Sequence, residues 1–570
     1  MEPHLPYLRN STSGHQLFIK NDQPFLIRGG QLQNSSLSSA DFMKGIWPKL
    51  AAAHMNTVLG SVTWEMVEPE EGKFNFDELD KVILGARENG LHLILLWFGT
   101  FKNALSTYVP RWVKTDMERF PRAMLRKSGG RMQVADAISI FHDEAAQADA
   151  RAFARLMQHL KEFDQNHYTV IMVQVENEVG ILGDSRDASP GANSRFESPV
   201  PQKLIDFLKK NWDSLHDSLK TNLKTFEQTS YGARNTSWES VFGRSQQTDE
   251  LFMAYHFALH VGKVADAGKE VYPLPLYTNV WQDYAGEDTE NEHPVVVGGG
   301  GDPGDYPSGG GVVNVLDIWR NFAPTLSFVS PDIYLNNYPS VCNKYRHGNQ
   351  TLFIPEQRRD EYGARRIWLA YGSYQALGTS GFGIDTLSLE ENPFKKHYDL
   401  VAKVSSHILA AHCNPHSSVG FCFDELPETG KDPSPAVTTT FGKWILKIER
   451  SFVFGKPGPG FGMVIHQGGA RFLLIGEGFQ VKFSSTSSKA VFTGILNFVE
   501  KEVVDEKTGE MRTGRTLGGD ETRSGAAAVM PGEDPDYGTF PISVTIPART
   551  RIAECEVYAL EVGGSNGLPN

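Results

Sequence analysis

A closed barrel of eight parallel strands, followed by a smaller all-β sandwich domain, is the architecture that this sequence predicts, and three observations predict it. Over residues 24–386, short apolar, β-branched runs alternate with longer segments of helical period. That alternation is the pattern of βαβ units laid on a parallel sheet. The residues able to do chemistry stand at the C-terminal ends of strands, which favours a (β/α)8 TIM barrel over an open doubly wound sheet. Beyond about residue 410 helical periodicity disappears, and alternating segments such as TTTFGKWILKIER and RFLLIGEGFQVKFSS are separated by Gly, Pro and Ser. Such a texture predicts a β-sandwich. The fold class is therefore α/β, with a catalytic barrel over 1–405 and an all-β domain over 410–570.

The eight strands are expected at 24–31, 56–64, 92–99, 169–178, 273–281, 326–334, 351–357 and 378–386. Several are near-continuous hydrophobic runs, as strands covered on both faces should be. Between the third and fourth, Ala146, Ala150, Phe153, Met157 and Leu160 recur at helical spacing, with Asp143 placed to cap that helix. Leu79, Ile83 and Ala86 define another apolar face, and Gly90 suits its C-terminus. The stretch 181–270 is long for one connection and is expected to be an insertion on the active-site face, with a helix in QKLIDFLKKNWDSLHDSL. The Gly-rich stretch 295–311 matches neither phosphate-binding pattern, and 505–539 is expected to be an exposed loop.

Composition narrows the function classes. A net charge of −13 argues against nucleic acid as the main partner, because a phosphate backbone needs a positive footprint. No run approaches the length needed to span a bilayer, so no membrane association is expected. The N-terminus lacks the apolar core of a signal peptide, which leaves a cytoplasmic protein or a secreted one numbered without its leader. Sequons stand at Asn10, Asn34, Asn235 and Asn349. The cysteines are Cys342, Cys413, Cys422 and Cys555; their spacing fits no zinc site, and free thiols or a short bridge between Cys413 and Cys422 are the alternatives. Nothing in the chain excludes a homo-oligomer.

Two strand ends carry the chemistry. The fourth strand closes on Gln174, Val175, Glu176, Asn177 and Glu178; the seventh delivers Glu356 at the end of an apolar run. Alternation along a strand puts Glu176 and Glu178 on one side, with Asn177 opposite unless the backbone bulges. Strands four and seven face each other across a barrel mouth. Two carboxyls so placed can flank a sugar ring, one protonating the departing oxygen and the other attacking the anomeric carbon or activating water. Histidines and cysteines show no metal-ligand spacing, and the proposed chemistry uses no metal and no cofactor.

VQVENEVG at 173–180 closely resembles the acid/base motif of glycoside hydrolase family 35, the β-galactosidases. The resemblance implies Glu178 as acid/base, Asn177 as a contact to the sugar 2-hydroxyl, and Glu356, in FIPEQ, as nucleophile. Trp64, Glu68, Pro69, Gly72, Phe74 and Phe76 fit the signature after the second strand, which the neighbouring family 42 shares. The tail resembles the sandwich appended in a mainly microbial subgroup of family 35. Ser61 and Glu65 replace a Tyr and an Asn of typical members, and Thr100–Leu105 replaces an Ala-Glu-Trp segment that helps bind galactose. Glu65 and Asn103 are the candidates for substitute hydrogen bonds. Trp64, Trp97 or Trp281 is the candidate floor of the sugar site. Tyr334 is expected to hydrogen-bond the nucleophile, and Arg28 to pair beneath the site.

The expectation is thus a retaining exo-β-glycosidase, a β-galactosidase acting on a galactoside or galactosylated oligosaccharide. The alternatives are another β-glycosidase of the same clan (family 42-like, or a β-arabinosidase or fucosidase) and a non-catalytic carbohydrate-binding protein.

Overall fold

The computed structural model describes residues 5–10, 15–19, 22–228, 236–283, 300–414, 416–427, 432, 434–451, 458–532 and 548–562. They divide into two compact units. One comprises 1–9, 17–358 and 378–391; the other comprises 10–16, 359–377 and 392–570.

In the first unit all eight expected strands form: β1 (Ile27–Gln31), β2 (Thr57–Thr63), β3 (His92–Lys102), β4 (Val170–Asn177), β5 (Leu276–Val280), β6 (Phe328–Pro331), β7 (Ile354–Gln357) and β8 (Gly378–Phe382). Their spatial order is β6-β5-β4-β3-β2-β1-β8-β7, every pair parallel. One parallel bridge closes the ring between β6 and β7, where Ile333 N–H donates to the Glu356 carbonyl at 2.9 Å. The runs Leu93–Leu95 and Val170–Met172 are fully buried, which is why β3 and β4 read as unbroken apolar stretches.

Helix α1 (Asp77–Glu88) buries Leu79, Ile83 and Ala86, and α2 (Asp143–Asp164) buries Ala146, Ala150, Phe153, Met157 and Leu160. Asp143 does not cap α2. It is the first helical residue, behind a His142 N-cap that makes no side-chain bond, and it meets the positive end of the helix instead. The helix α3 (Gln246–Val271) lies between β4 and β5, at the end of the stretch 181–270 expected as an insertion, and 178–245 precedes it. The insertion's Trp238 packs edge-on against Phe252 of α3, 5.1 Å between centroids. Cover of that kind leaves α3 buried nearly all round, without the one-sided stripe that marks a surface helix. Against α2, a Cβ on Gly268 would stand 2.2 Å from Phe153, so only glycine permits that approach.

The second unit holds α4 (Glu361–Gly372), α5 (Phe394–His412) and two antiparallel sheets. In spatial order the larger sheet runs Ser418–Phe423, Gly460–Gly468, Arg471–Glu477, Ile552–Glu561, Ala490–Asp505 and Glu510–Thr516. The smaller runs Val437–Phe441, Trp444–Arg450, Phe479–Ser485 and Ala528–Met530. Phe421, Phe472 and Leu474 of the first meet Trp444, Leu446 and Phe479 of the second in one buried core, which makes a sandwich. Arg366 of α4 grips Asp424 with two 2.6 Å bonds. The segment 505–539 is not simply a loop, since it contains Glu510–Thr516 and Ala528–Met530; residues 533–539 lie outside the described residues, as do 295–299 of the Gly-rich stretch. All four cysteines are free thiols, with Cys342 and Cys555 buried and Cys413 exposed. No helix among the described residues is long and apolar enough to cross a membrane.

Candidate active site

The site is built on an irregularity between β3 and β4. Trp97 pairs with Val175, yet the next pair is Lys102 with Asn177, so five residues of β3 (102 − 97) advance against two of β4 (177 − 175). The bulge leaves backbone donors without ladder partners, and buried carboxylates accept them. Glu176 accepts from Thr100 N–H at 3.1 Å and Phe101 N–H at 2.7 Å; Asp149 of α2 accepts from Thr100 N–H at 2.7 Å and Trp97 Nε1 at 2.8 Å. Gly99 is required here, because a Cβ would sit 2.6 Å from Asp149 Oδ2.

Glu176 and Glu178 do not share a side, contrary to strand alternation. Both have left-handed backbones, φ 61° and 46°, and the twist sends Glu176 into the β3 bulge while Glu178 faces a cavity. Non-glycine residues hold such φ values only where the surroundings over-determine them. For Glu178 the anchors are its own N–H, donated to Asn279 Oδ1 of β5 at 3.0 Å, and its carbonyl, which accepts from Ala104 N–H at 2.9 Å.

The cavity holds about 200 Å3 and is lined by residues that include Asn34, Lys102, Asn103, Glu178, Trp281, Asp332, Tyr334 and Glu356. Glu178, Asp332 and Glu356, all buried, each bring one carboxyl oxygen within 4.8 Å of the others. Glu356 is the best served: Gln31 Nε2 donates to one oxygen and Tyr334 Oη to the other, both at 2.7 Å. Burial pushes the Glu178 carboxyl up to about 7; Lys102, its Nζ 4.0 Å away, pulls it down, and the Glu356 charge adds to the rise. Burial likewise raises Asp332 well above the usual carboxylate range, reinforced by the charges of Glu356 and Glu178. At neutral pH the site can therefore present one carboxyl as an acid beside another as a nucleophile.

Of the residues singled out from the sequence, Glu178, Glu356, Tyr334, Asn103 and Trp281 converge on this cavity. Asn177 is wholly buried beside it, accepting from Lys102 Nζ at 2.9 Å, and does not line it. Glu65 is not brought in: the turn of helix Trp64–Val67 carries it outward to Lys114 at 2.7 Å. Trp64 is a core residue that donates to Glu68 at 2.7 Å and packs edge-on against Trp112. Trp97 is tied to Asp149, and Arg28 Nε donates to the His54 carbonyl at 2.8 Å.

Lys102 and Asp332 were missed. A lysine closing an eleven-residue apolar strand is a signal for the first; the second hides in SPDIY, where a Pro-Asp pair reads as a turn. The cavity trio could hold a cation, as could Asp149, Glu176 and His260, all buried and mutually within 4.8 Å.

Comparison with known proteins finds partial similarities. Residues 39–247 match the glycoside hydrolase family 42 model, described as β-galactosidase, and residues 394–528 match a domain of unknown function, DUF5597. The β-galactosidase of Xanthomonas manihotis is 29% identical over 176 residues, 30% of this chain and 27% of that protein. β-Galactosidase Pbg of Clostridium perfringens is 41% identical over 58 residues, 9% of this chain and 8% of that one. The chain thus spans about a quarter or less of the length of these relatives. Among solved structures, the β-galactosidase of Marinomonas ef1 aligns at 14% identity and TM-score 0.43, covering 67% of this chain and 60% of its own. By sequence, residues 39–247 are similar to β-galactosidases of the glycoside hydrolase type. The matched family is 42 and not 35, a correction consistent with the signature around Trp64 and Glu68, which the two families share.

Proposed function

We propose that the chain is a retaining exo-β-glycosidase that removes terminal β-D-galactosyl residues by double displacement. The observation that carries this reading is that Glu178 and Glu356 face one cavity and each bring one carboxyl oxygen within 4.8 Å of the other. Retaining enzymes hold the two groups about 5–5.5 Å apart, whereas inverting enzymes leave about 6.5–9.5 Å for a water molecule. Glu356 attacks the anomeric carbon while protonated Glu178 gives its proton to the departing oxygen. Glu178, now ionised, takes a proton from the water that releases the sugar. Gln31 and Tyr334 hold Glu356 for in-line attack, and Trp281 offers a ring against which a sugar can pack. A cavity of about 200 Å3 suits one terminal sugar rather than the interior of a chain.

The choice of galactose rests on the family-42 match and the two relatives named above, and a panel of nitrophenyl glycosides tests it. Fastest turnover of the β-galactoside is expected; preference for a β-arabinoside or β-fucoside would reassign the glycone, and binding without turnover of any glycoside would make the chain a lectin. NMR of the first product should show the β-anomer before mutarotation. An α-anomer would mean inversion.

A further inference from the structure

A third carboxyl stands in the cavity that two-carboxylate chemistry does not use. Asp332 follows β6 directly and is 3% exposed. Its N–H donates to the Val280 carbonyl at 3.1 Å, and its Oδ2 accepts from Asn279 Nδ2 at 2.7 Å. The same Asn279 accepts the Glu178 N–H, so one amide side chain locks the Asp332 carboxyl and the Glu178 backbone together. Asp332 Oδ1 has no hydrogen-bond partner among the described residues, and one oxygen of the Asp332 carboxyl stands within 4.8 Å of one of Glu178.

Three buried carboxyls this close cannot all be ionised. Among the described residues, the charged and titratable groups facing them include Lys102 from β3, Tyr277 from β5 and Tyr334 after β6, with Tyr345 also acting on Asp332. Burial and the carboxyl charges hold these phenols well above their ordinary range, so none supplies or removes charge at working pH. Lys102 is the one cation in the group, and it stands beside Glu178 and Asn177. Among the described residues Glu356 takes two side-chain donors and Asp332 one.

We propose that Asp332 is a positioning residue that keeps its proton throughout turnover and donates it in a hydrogen bond to Glu178. This rests on the reading of Glu178 as acid/base. When Glu178 passes its proton to the departing oxygen, the Asp332 hydroxyl and the Lys102 ammonium already point at the carboxylate that forms. When Glu178 takes a proton from water, the same bond reverts to one between neutral groups. No proton leaves Asp332 in either step. A hydrogen bond to a charged acceptor is about twice as strong as one between neutral partners, so it stabilises the state in which Glu178 is ionised.

The test compares Asp332→Asn with Asp332→Ala, using an activated aryl galactoside and one with a poor leaving group. Asparagine can accept from Asn279 and still donate to Glu178. Asp332→Asn should keep the basic limb of the pH profile within about half a unit, while Asp332→Ala, lacking the donor, should move it up by about one unit or more and slow turnover by about 10–100-fold. A downward shift of about a unit in Asp332→Asn would mean that a negative charge had been removed, and would overturn the proposal. Failure of the underlying reading looks different: the basic limb would then survive in Glu178→Ala. Should Asp332→Ala not fold, infrared spectroscopy of Glu178→Gln at pH 7 decides. A carbonyl band of a protonated carboxylic acid that vanishes in Glu178→Gln/Asp332→Asn supports the proposal, and its absence from Glu178→Gln overturns it.

Discussion

Replacing Glu178 by glutamine should abolish an acid and stabilise the fold, and the size of that stabilisation should depend on pH. Folding takes the Glu178 carboxyl out of water and pushes it from 4.5 to about 7, chiefly by burial, with the Glu356 charge adding and Lys102 opposing. The folded state therefore binds the proton more tightly than the unfolded state. Below about pH 4 both states are protonated and nothing is lost. As pH rises through 4.5 the unfolded chain ionises freely while the folded one does not, and stability falls until the folded value is passed. The difference, about 2.5, at about 1.4 kcal/mol per unit amounts to about 3 kcal/mol above pH 8. Asp332 shares this environment, so about 1–3 kcal/mol is the range to expect. Glutamine keeps the shape and carries no charge, so Glu178→Gln should match wild type at pH 4 and exceed it by that amount at pH 8. Urea denaturation of both proteins at several pH values measures the difference, read on the barrel's transition if the two compact units unfold separately. A gap that does not change with pH, or a variant less stable at pH 8, would refute the reasoning: the carboxylate would then be at no electrostatic cost in the folded state.

Six further variants have expected outcomes. Glu356→Gln should lose nearly all turnover, and Glu178→Ala should retain activity toward an activated aryl galactoside and yield the β-galactosyl azide when azide is added, both seen by product analysis; wild-type turnover in the first or no azide product in the second would remove the assigned role. Lys102→Met takes away the charge that favours ionised Glu178, so the basic limb of the activity profile should move up by about one unit, and a downward move would show that Lys102 acts otherwise. Tyr334→Phe deletes one of the two donors to Glu356, which should slow turnover about 10–100-fold in steady-state kinetics; an unchanged rate would mean the Gln31 bond suffices. Glu65→Gln should leave kcat/KM within about twofold, because its partner is Lys114 at the rim, whereas Asn103→Ala should lower it about 3–10-fold from inside the cavity; the reverse order would put the sugar elsewhere.

The barrel was legible because its strands are buried on both faces, and a buried parallel strand writes itself as an apolar run. The two carboxylates were legible for the converse reason: a charge at the end of such a run has no place in a core unless something uses it. Tyr334 was implied by the family resemblance and not by any residue pattern, and it does reach Glu356. The helix α3 was not picked out because the signal of a helix is one-sidedness, and cover by the 178–245 segment erases one-sidedness. Glu65 and Trp64 lie away from the cavity because a single helical turn after β2 rotates them out of the strand's pattern. Asp332 carries no periodic signal, and only three-dimensional proximity to Glu178 gives it meaning; Lys102 did carry one, a charge closing an apolar strand.

The misjudged side of Glu176 follows from the same cause as the site itself. Strand alternation assumes extended backbone, and both Glu176 and Glu178 are left-handed. Straight strands would place Glu176 and Glu178 together in the cavity and leave the N–H of Phe101 buried without its acceptor, at a cost of about 1–3 kcal/mol. The twist solves both problems at once. It spends Glu176 on the bulge that carries Lys102 to the Asn177–Glu178 end of β4, and it leaves Glu178 alone to face Glu356. Glu176 is therefore a scaffold for the cation beside the acid. Its replacement by glutamine should disturb the position of Lys102 before it disturbs any chemistry, raising the basic limb as Lys102→Met does while leaving azide rescue of Glu178→Ala intact. Loss of that rescue in Glu178→Ala/Glu176→Gln would show instead that Glu176 reaches the reacting sugar.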